Sequence, residues 1–352
     1  MNSSSNSSNQ NRGEYRRRLI IRISSLGDVV LSMAALSVQN SKAHTEWLVA
    51  NEFSQLLIEN RRVQKVWSFD RRMSVFRWVR LCLELWDQNY DEVLDLHRSL
   101  RSFILRFMFK IWGLLGLHRR KCPKFMVIQK QKLRSWTYFL LKKKCPNFFR
   151  PTPWVERYAK AIGGTGAERP DLSHLINTEI PDSSLKEQKY YCVMPGSKWP
   201  GKCWPIEYYV RLLTHIPALP VILGSDSDRE SMELVKALAA RNIKHQSYVG
   251  KIDLKQTAAI LAHSVAYLGN DTGLAHLAEA VGSRALVIYG PTVPDMGFGP
   301  WRKDSRSFSS LVWCSPCGKD GRYCYQLEQY KCLRSIFPEV VLTQLKDSFK
   351  ES

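Results

Sequence analysis

The sequence predicts an α/β protein made of two similar halves, each built around a mostly parallel sheet. Three observations carry this. Short apolar runs alternate with amphipathic stretches of helical period. The alternation pauses at a glycine-rich segment and then restarts. The chain has 352 residues, about the length of two domains of roughly 150 residues each. Strands alternating with helices imply βαβ units and parallel pairing.

In the first half, Arg18 to Ile23 is a buried strand, Ser24 to Asp28 a turn, and Val29 to Val38 an apolar helix. Glu46 to Ala50 and Val63 to Phe69 are short strands around a helix-like Phe53 to Glu59. Val75, Trp78, Val79, Cys82, Leu85 and Trp86 recur at intervals of mostly three and four, as one face of a helix requires. Tyr90 to Leu96 leads into a fourth strand. Gly163 to Gly166, with Arg169-Pro170 after it, has the composition of a linker.

Beyond it, Tyr190 to Met194 is a strand ending in Pro195-Gly196, and Pro205 to Leu213 a helix with proline at its first turn. Val221 to Gly224 is a strand, Glu230 to Ala240 and Leu254 to Ala262 are helices, and Val265 to Leu268 is a strand. Gly273 to Val281 is a helix, Ala285 to Tyr289 a strand, and Pro338 to Lys350 a terminal helix. Two such halves place a ligand at the C-terminal ends of the strands, in the cleft between them.

Charge narrows the partners. The chain carries 52 basic and 32 acidic side chains, a net of +20, and residues 1–160 hold +18 of it. No acidic residue stands between Asp95 and Glu156, whereas Arg98 to Arg150 contains 15 basic ones. A long run of one sign suggests an anionic partner: nucleic acid, a phosphorylated substrate or an anionic membrane face. No helix-turn-helix, zinc-finger or aromatic RNA-binding strand motif accompanies it, so no nucleic-acid partner is expected. The segments Phe103 to Leu117 and Trp136 to Leu141 suit either a membrane interface or a core. No run of 18 apolar residues is present, and the Ser/Asn-rich start has no apolar signal core. With nine cysteines, a reducing compartment is expected.

Several junctions carry chemistry. Asp28 follows the first strand and can act as a general base; as an Asp before a helix it can equally be an N-cap. Gly27 permits close approach of a substrate. Gly269-Asn270-Asp271-Thr272-Gly273 runs from a strand into a helix, with Asp271 or Thr272 at the cap and His276 one turn on. Backbone N–H groups at such an end favour phosphate; a cap plus a packed histidine is the alternative. Ser197 and Lys202 lie in a third strand–loop–helix junction, where Lys202 suits a diphosphate or is merely solvated. Asp226 follows a strand and fits ribose hydroxyls or a turn. Cys314-x2-Cys317-x6-Cys324-x7-Cys332 begins with metal-type spacing, but the later gaps match no standard zinc ribbon. Structural metal, packed thiols and a redox pair all stay open.

Taken together, these motifs resemble glycosyltransferase family 9, the lipopolysaccharide heptosyltransferases, and most nearly the second heptosyltransferase type. The resemblance starts near Arg17 and rests on Ile21-Arg22-Ile23-Ser24-Ser25-Leu26-Gly27-Asp28-Val29, Tyr90-Asp91 through Leu96, and Ser99-Leu100-Arg101-Ser102. It continues through Pro195-Gly196-Ser197, Lys202-Cys203-Trp204-Pro205, Gly269 to Ala278, Gly290-Pro291-Thr292-x-Pro294, the cysteine cluster, and Pro338-Glu339-Val340. Ala34, where the family commonly has proline, and the density of the basic block depart from it.

The resemblance implies a GT-B fold of two Rossmann-like domains with parallel sheets facing a central cleft. A disordered polar tail would span 1–14, the acceptor-binding half 15–165, and the nucleotide-sugar-binding half 166–337. The helix 338–352 would cross back to the first half. The resemblance also implies an inverting transfer of heptose from ADP-heptose to the lipid A-core glycolipid, with no cofactor and no catalytic metal. Asp28 would be the base. Ser197, Lys202, Asp226, Asp271, Thr272, Gly273 and His276 would hold the nucleotide sugar, and Ser25, Gly27, Arg98 and Arg101 the acceptor. A monomer at the cytoplasmic face of the inner membrane, on an anionic surface, completes the expectation. A family 9 transferase with another sugar or acceptor is the alternative; a catalytically dead membrane scaffold is disfavoured by the presence of Asp28 and Lys202.

Overall fold

The computed structural model describes residues 16–38, 43–117, 121–310, 312–318 and 321–350. The polar tail expected over 1–14 lies outside them. The chain forms two compact units, one of Met1–Gln129 with Arg157–Glu168, the other of Lys130–Glu156 with Arg169–Ser352.

Among the described residues the first unit holds five strands: β1 (Arg16–Ile21), β2 (Ala43–Ala50), β3 (Lys65–Phe69), β4 (Glu92–Asp95) and β5 (Lys124–Val127). They lie in the order β3-β2-β1-β4-β5, every pair parallel. Its helices include α1 (Leu26–Ser32), α2 (Asn51–Ser54), α3 (Val75–Trp86) and α4 (Leu100–Leu114). Both faces of β1 are buried, as a parallel sheet covered on two sides demands. Leu19, Ile21 and Ile23 pack with Trp78, Leu85, Leu105 and Phe109 into one core. Each large apolar side chain so buried contributes about 1.5–3 kcal/mol.

One buried charge crosses this sheet. Glu46 accepts from Arg17 Nη2, Trp67 Nε1 and Tyr90 Oη, each at 2.6 Å. Burial alone raises its carboxyl, but these bonds more than offset that and hold it below the usual value.

The second unit contains β6 (Tyr190–Met194), β7 (Leu219–Ile222), β8 (Gln246–Ser247), β9 (Tyr267–Asn270), β10 (Ala285–Tyr289) and β11 (Arg306–Ser309). Their order is β11-β10-β9-β6-β7-β8, again all parallel. Around them come α5 (Lys132–Leu141), α6 (Trp154–Lys160, which passes into the first unit), α7 (Ile206–Leu213), α8 (Arg229–Ala239), α9 (Leu254–Ala262), α10 (Gly273–Ala280), α11 (Lys331–Arg334) and α12 (Pro338–Lys350). Val341 and Leu345 of α12 join the core of this unit beside Tyr209, Leu212 and Leu213.

The first helix begins earlier than its apolar pattern suggests. α1 starts at Leu26 and continues past Ser32 as a 3-10 turn, Met33–Ser37. The expected turn at Ser24 to Asp28 is therefore already helical over its second half. β5, β8 and β11 carry two to four residues each, too few for an alternation to register.

Candidate active site

In the first unit the candidate base sits just past the C-terminal end of β1. Ser25 holds the N-cap position of α1, but its hydroxyl does not cap the helix. It donates to Asp28 Oδ2 instead, at 3.0 Å. Asp28 thus lies within the helix, and its alternative role as an N-cap falls away. Arg22 Nη2 approaches the same Oδ2 at 2.7 Å, while Tyr158 Oη donates to Oδ1 at 3.3 Å.

Arg22 is itself fixed. Its Nη1 donates to the Leu96 carbonyl at 2.7 Å, and its guanidinium stands over the Tyr158 ring, 5.5 Å from the centroid. Tyr158 is fully buried. Burial pushes its phenol far above the ordinary range, so it keeps its proton and acts as a donor. Two donors crowd Oδ2 and one weaker donor meets Oδ1, which leaves Oδ1 the better placed oxygen to take a proton.

The other expected acceptor residues differ in their surroundings. Ser25 is exposed and Gly27 is half-buried. Arg98 has a left-handed backbone, φ 51°, set by the fully buried Asp95, whose Oδ1 accepts from the N–H of His97 and of Arg98. Arg106 Nε lies 2.9 Å from Asp95 Oδ2. Arg101 is engaged in packing. It donates to the Arg71 carbonyl at 2.6 Å and lies 5.7 and 5.8 Å from the Phe69 and Trp78 ring centroids.

In the second unit, loops after β6, β9 and β10 meet. Lys202 Nζ lies 2.6 Å from Asp271 Oδ2, which also accepts from Thr292 Oγ1 at 2.8 Å. Lys202 is therefore not merely solvated. Thr272 takes the cap position of α10 without a capping bond, and its hydroxyl lies 3.2 Å from Tyr267 Oη. Gly273 opens the helix. His276 is buried in it.

The fully buried Asn270 ties these loops together. Its amide nitrogen donates to the Pro195 carbonyl, and its oxygen accepts from Trp204 N and Tyr209 Oη. Ser197 is half-buried in the loop so fixed, and Gly196 beside it has no room for a side chain. A Cβ there would overlap the carboxylate of Asp228. Asp228, not Asp226, is the acid placed against this loop: it is buried and caps α8, whereas Asp226 is exposed in the turn before it.

Cys314, Cys317, Cys324 and Cys332 line one cavity with Gly201 and Pro291. Gln326 Nε2 donates to Cys314 Sγ and Tyr330 N to Cys324 Sγ. Among the described residues no three His, Cys, Asp or Glu side chains form a group able to hold a metal ion, so the metal reading finds no support in the side-chain geometry.

Arg22, Tyr158, Asn270 and Thr292 were not singled out from sequence as site residues. Arg22, Asn270 and Thr292 fall inside quoted motifs, and Asn270 is also a polar residue ending an apolar strand; Tyr158 carries no local signal.

A sequence model of glycosyltransferase family 9 (heptosyltransferase) matches residues 78–326. Lipopolysaccharide heptosyltransferase 1 of Pseudomonas aeruginosa is 24% identical over 363 residues, covering 94% of this chain and 97% of that protein. Lipooligosaccharide heptosyltransferase 2 of Haemophilus influenzae is 25% identical, covering 94% and 98%. Among solved structures, a glycosyl transferase family 9 protein from Veillonella parvula aligns with a TM-score of 0.72 at 18% identity, over 96% of this chain and 98% of its own. The E. coli ADP-heptose lps heptosyltransferase II aligns with a TM-score of 0.67 at 19% identity, over 95% and 99%. These likenesses show the expected GT-B fold.

Proposed function

Because the chain belongs to glycosyltransferase family 9 (heptosyltransferase), we propose that it moves heptose from ADP-heptose to a sugar hydroxyl of the lipopolysaccharide inner core, with inversion at the anomeric carbon. The observation that carries this is the Asp28 carboxylate, held by Arg22, Ser25 and Tyr158 at the end of β1. A single fixed carboxylate suits a one-step displacement with a general base, since a diphosphate leaves without a protein acid.

The chemistry follows from those residues. Asp28 takes the proton of the acceptor hydroxyl as that oxygen attacks the anomeric carbon. The bond from that carbon to the diphosphate oxygen breaks, and its electron pair leaves with ADP. Lys202 turns from Asp271 to the diphosphate and neutralises its growing charge, aided by the N-terminal N–H groups of α10. Ser197, Thr272 and Gly273 line the donor side. Arg98, beside Ser25 and Gly27 in role, meets the carboxylates and phosphates of the acceptor; Arg101 keeps to its place between Phe69 and Trp78.

In this reading the first unit takes the acceptor and the second the nucleotide sugar. Among the described residues no helix is long and apolar enough to cross a membrane. The acceptor is a glycolipid, so the enzyme works at a bilayer surface, the cytoplasmic face of the inner membrane.

The test is Asp28→Ala, assayed with ADP-heptose and a truncated core acceptor by product mass. Turnover is expected to fall by about 10²–10⁴ while ADP binding is retained. A folded variant with near-normal turnover overturns the assignment of the base, and transfer only from another nucleotide sugar overturns that of the donor.

A further inference from the structure

The helix α4 leaves an unusual face in water. Its buried side chains Ser102, Leu105 and Phe109, with the partly buried Ile104, Met108 and Trp112, form one seam toward the core of the first unit. Away from that seam, Leu100, Phe103, Phe107, Ile111 and Leu114 follow one another at three- and four-residue intervals, 38 to 87% exposed. The Phe103 and Phe107 rings lie 6.2 Å apart and nearly parallel, both open to solvent. A helix on a water-facing surface ordinarily turns polar residues to that side. Here the apolar stripe runs the whole length of the helix. The start of α3 exposes two further apolar side chains, Val75 and Phe76.

The charges beside the stripe decide what covers it. Lys110, Lys121 and Lys124 are exposed, and no acidic residue occurs from Leu96 to Val155. A second copy of the chain laid on the stripe would bring lysines against lysines, which opposes association. An anionic lipid surface offers the opposite charge and an apolar layer beneath it.

We propose that α4 is the element by which the protein docks on an anionic bilayer. It lies in the plane of the interface, with Leu100, Phe103, Phe107, Ile111 and Leu114 at the acyl boundary and the three lysines among the headgroups. This deepens the glycolipid reading above by naming the surface that brings the enzyme to its acceptor.

The experiment is co-sedimentation of the full chain with vesicles of phosphatidylglycerol and phosphatidylethanolamine, against vesicles of phosphatidylcholine alone. The wild type is expected to pellet with the first and much less with the second. In the triple variant Phe103→Ser/Phe107→Ser/Leu114→Ser the partition onto anionic vesicles should fall about tenfold or more, with an unchanged circular dichroism spectrum. Lys110→Glu alone, which leaves the apolar stripe intact, should weaken binding to the anionic vesicles only. Transfer to an acceptor stripped of its acyl chains should be unaffected by the triple variant. Wild-type partition retained by the triple variant overturns the proposal. So does a lipid-free dimer of the wild type that the triple variant dissociates, which would assign the stripe to a second copy. Docking without heptose transfer would sink the functional reading alone; transfer without docking would sink this one alone.

Discussion

Arg22 and Asp28 stand 2.7 Å apart, guanidinium to carboxylate, at the C-terminal end of the first strand. Arg22 reaches from there to the Leu96 carbonyl beyond β4 and lies over Tyr158. One side chain thus sets the carboxylate against two neighbouring strand ends. Arg22→Ala is expected to lower kcat by about 10–100-fold with little change in donor KM, since the base loses its orientation while the donor loops are untouched. Tyr158→Phe, which removes only the longer bond, should cost a few-fold. Steady-state kinetics with both substrates checks this, and an Arg22→Ala enzyme that loses only donor affinity contradicts it.

Lys202 is paired with Asp271 at 2.6 Å, and Thr292 shares the same carboxylate oxygen. Lys202→Ala should reduce kcat/KM for the donor by about 10²-fold and weaken ADP binding in calorimetry. Lys202→Arg should rescue it poorly, because a planar fork does not replace a point charge in a site this enclosed. Thr292→Val should show a smaller effect of the same sign. Undiminished ADP affinity in Lys202→Ala would remove the lysine from the diphosphate.

Gly196 is required by its neighbour. A methyl group there would overlap both carboxylate oxygens of Asp228, and Asp228 is fixed by its bonds to Ser231 at the start of α8. Gly196→Ala should destabilise the protein by about 2–4 kcal/mol in urea unfolding. Adding Asp228→Ser, which keeps a capping hydroxyl in less space, should recover part of that loss; no recovery would mean that the clash lies elsewhere.

Glu279 gives stability a pH dependence. Burial raises its carboxyl from 4.5 to about 7, against the pull of bonds from Arg302 N, Ser305 and Trp301 N. The folded protein therefore holds this proton more tightly than the unfolded chain does. Its contribution is complete below about pH 4.5 and is lost as pH rises through about 7. The stability advantage of wild type over Glu279→Gln should shrink by about 2–3 kcal/mol between pH 4.5 and pH 8. Parallel pH curves for the two proteins would refute the shift.

Much of this molecule was legible in the sequence. The spans of α9, β10 and α12 fall where local pattern puts them, because periodicity and helix boundaries are properties of a few neighbouring residues. Asp28, Lys202, Asp271 and Thr272 are candidates by the junctions they occupy. Their partners were not: Tyr158 comes to Asp28 from 130 residues away, and Lys202 to Asp271 from 69. Asp226 and Asp228 are both acids after the same strand, and only packing against Gly196 separates them. The same holds for α4. Its apolar repeat is identical whether the face meets a core or meets water, since period records that a face exists and not what lies opposite. The sequence by itself determined the two parallel α/β units and the loops on which the candidate site residues stand. The tertiary structure decided which donors hold each carboxylate, which arginine is spent on packing, and which apolar face stays uncovered, because each depends on contacts between segments that no local pattern connects.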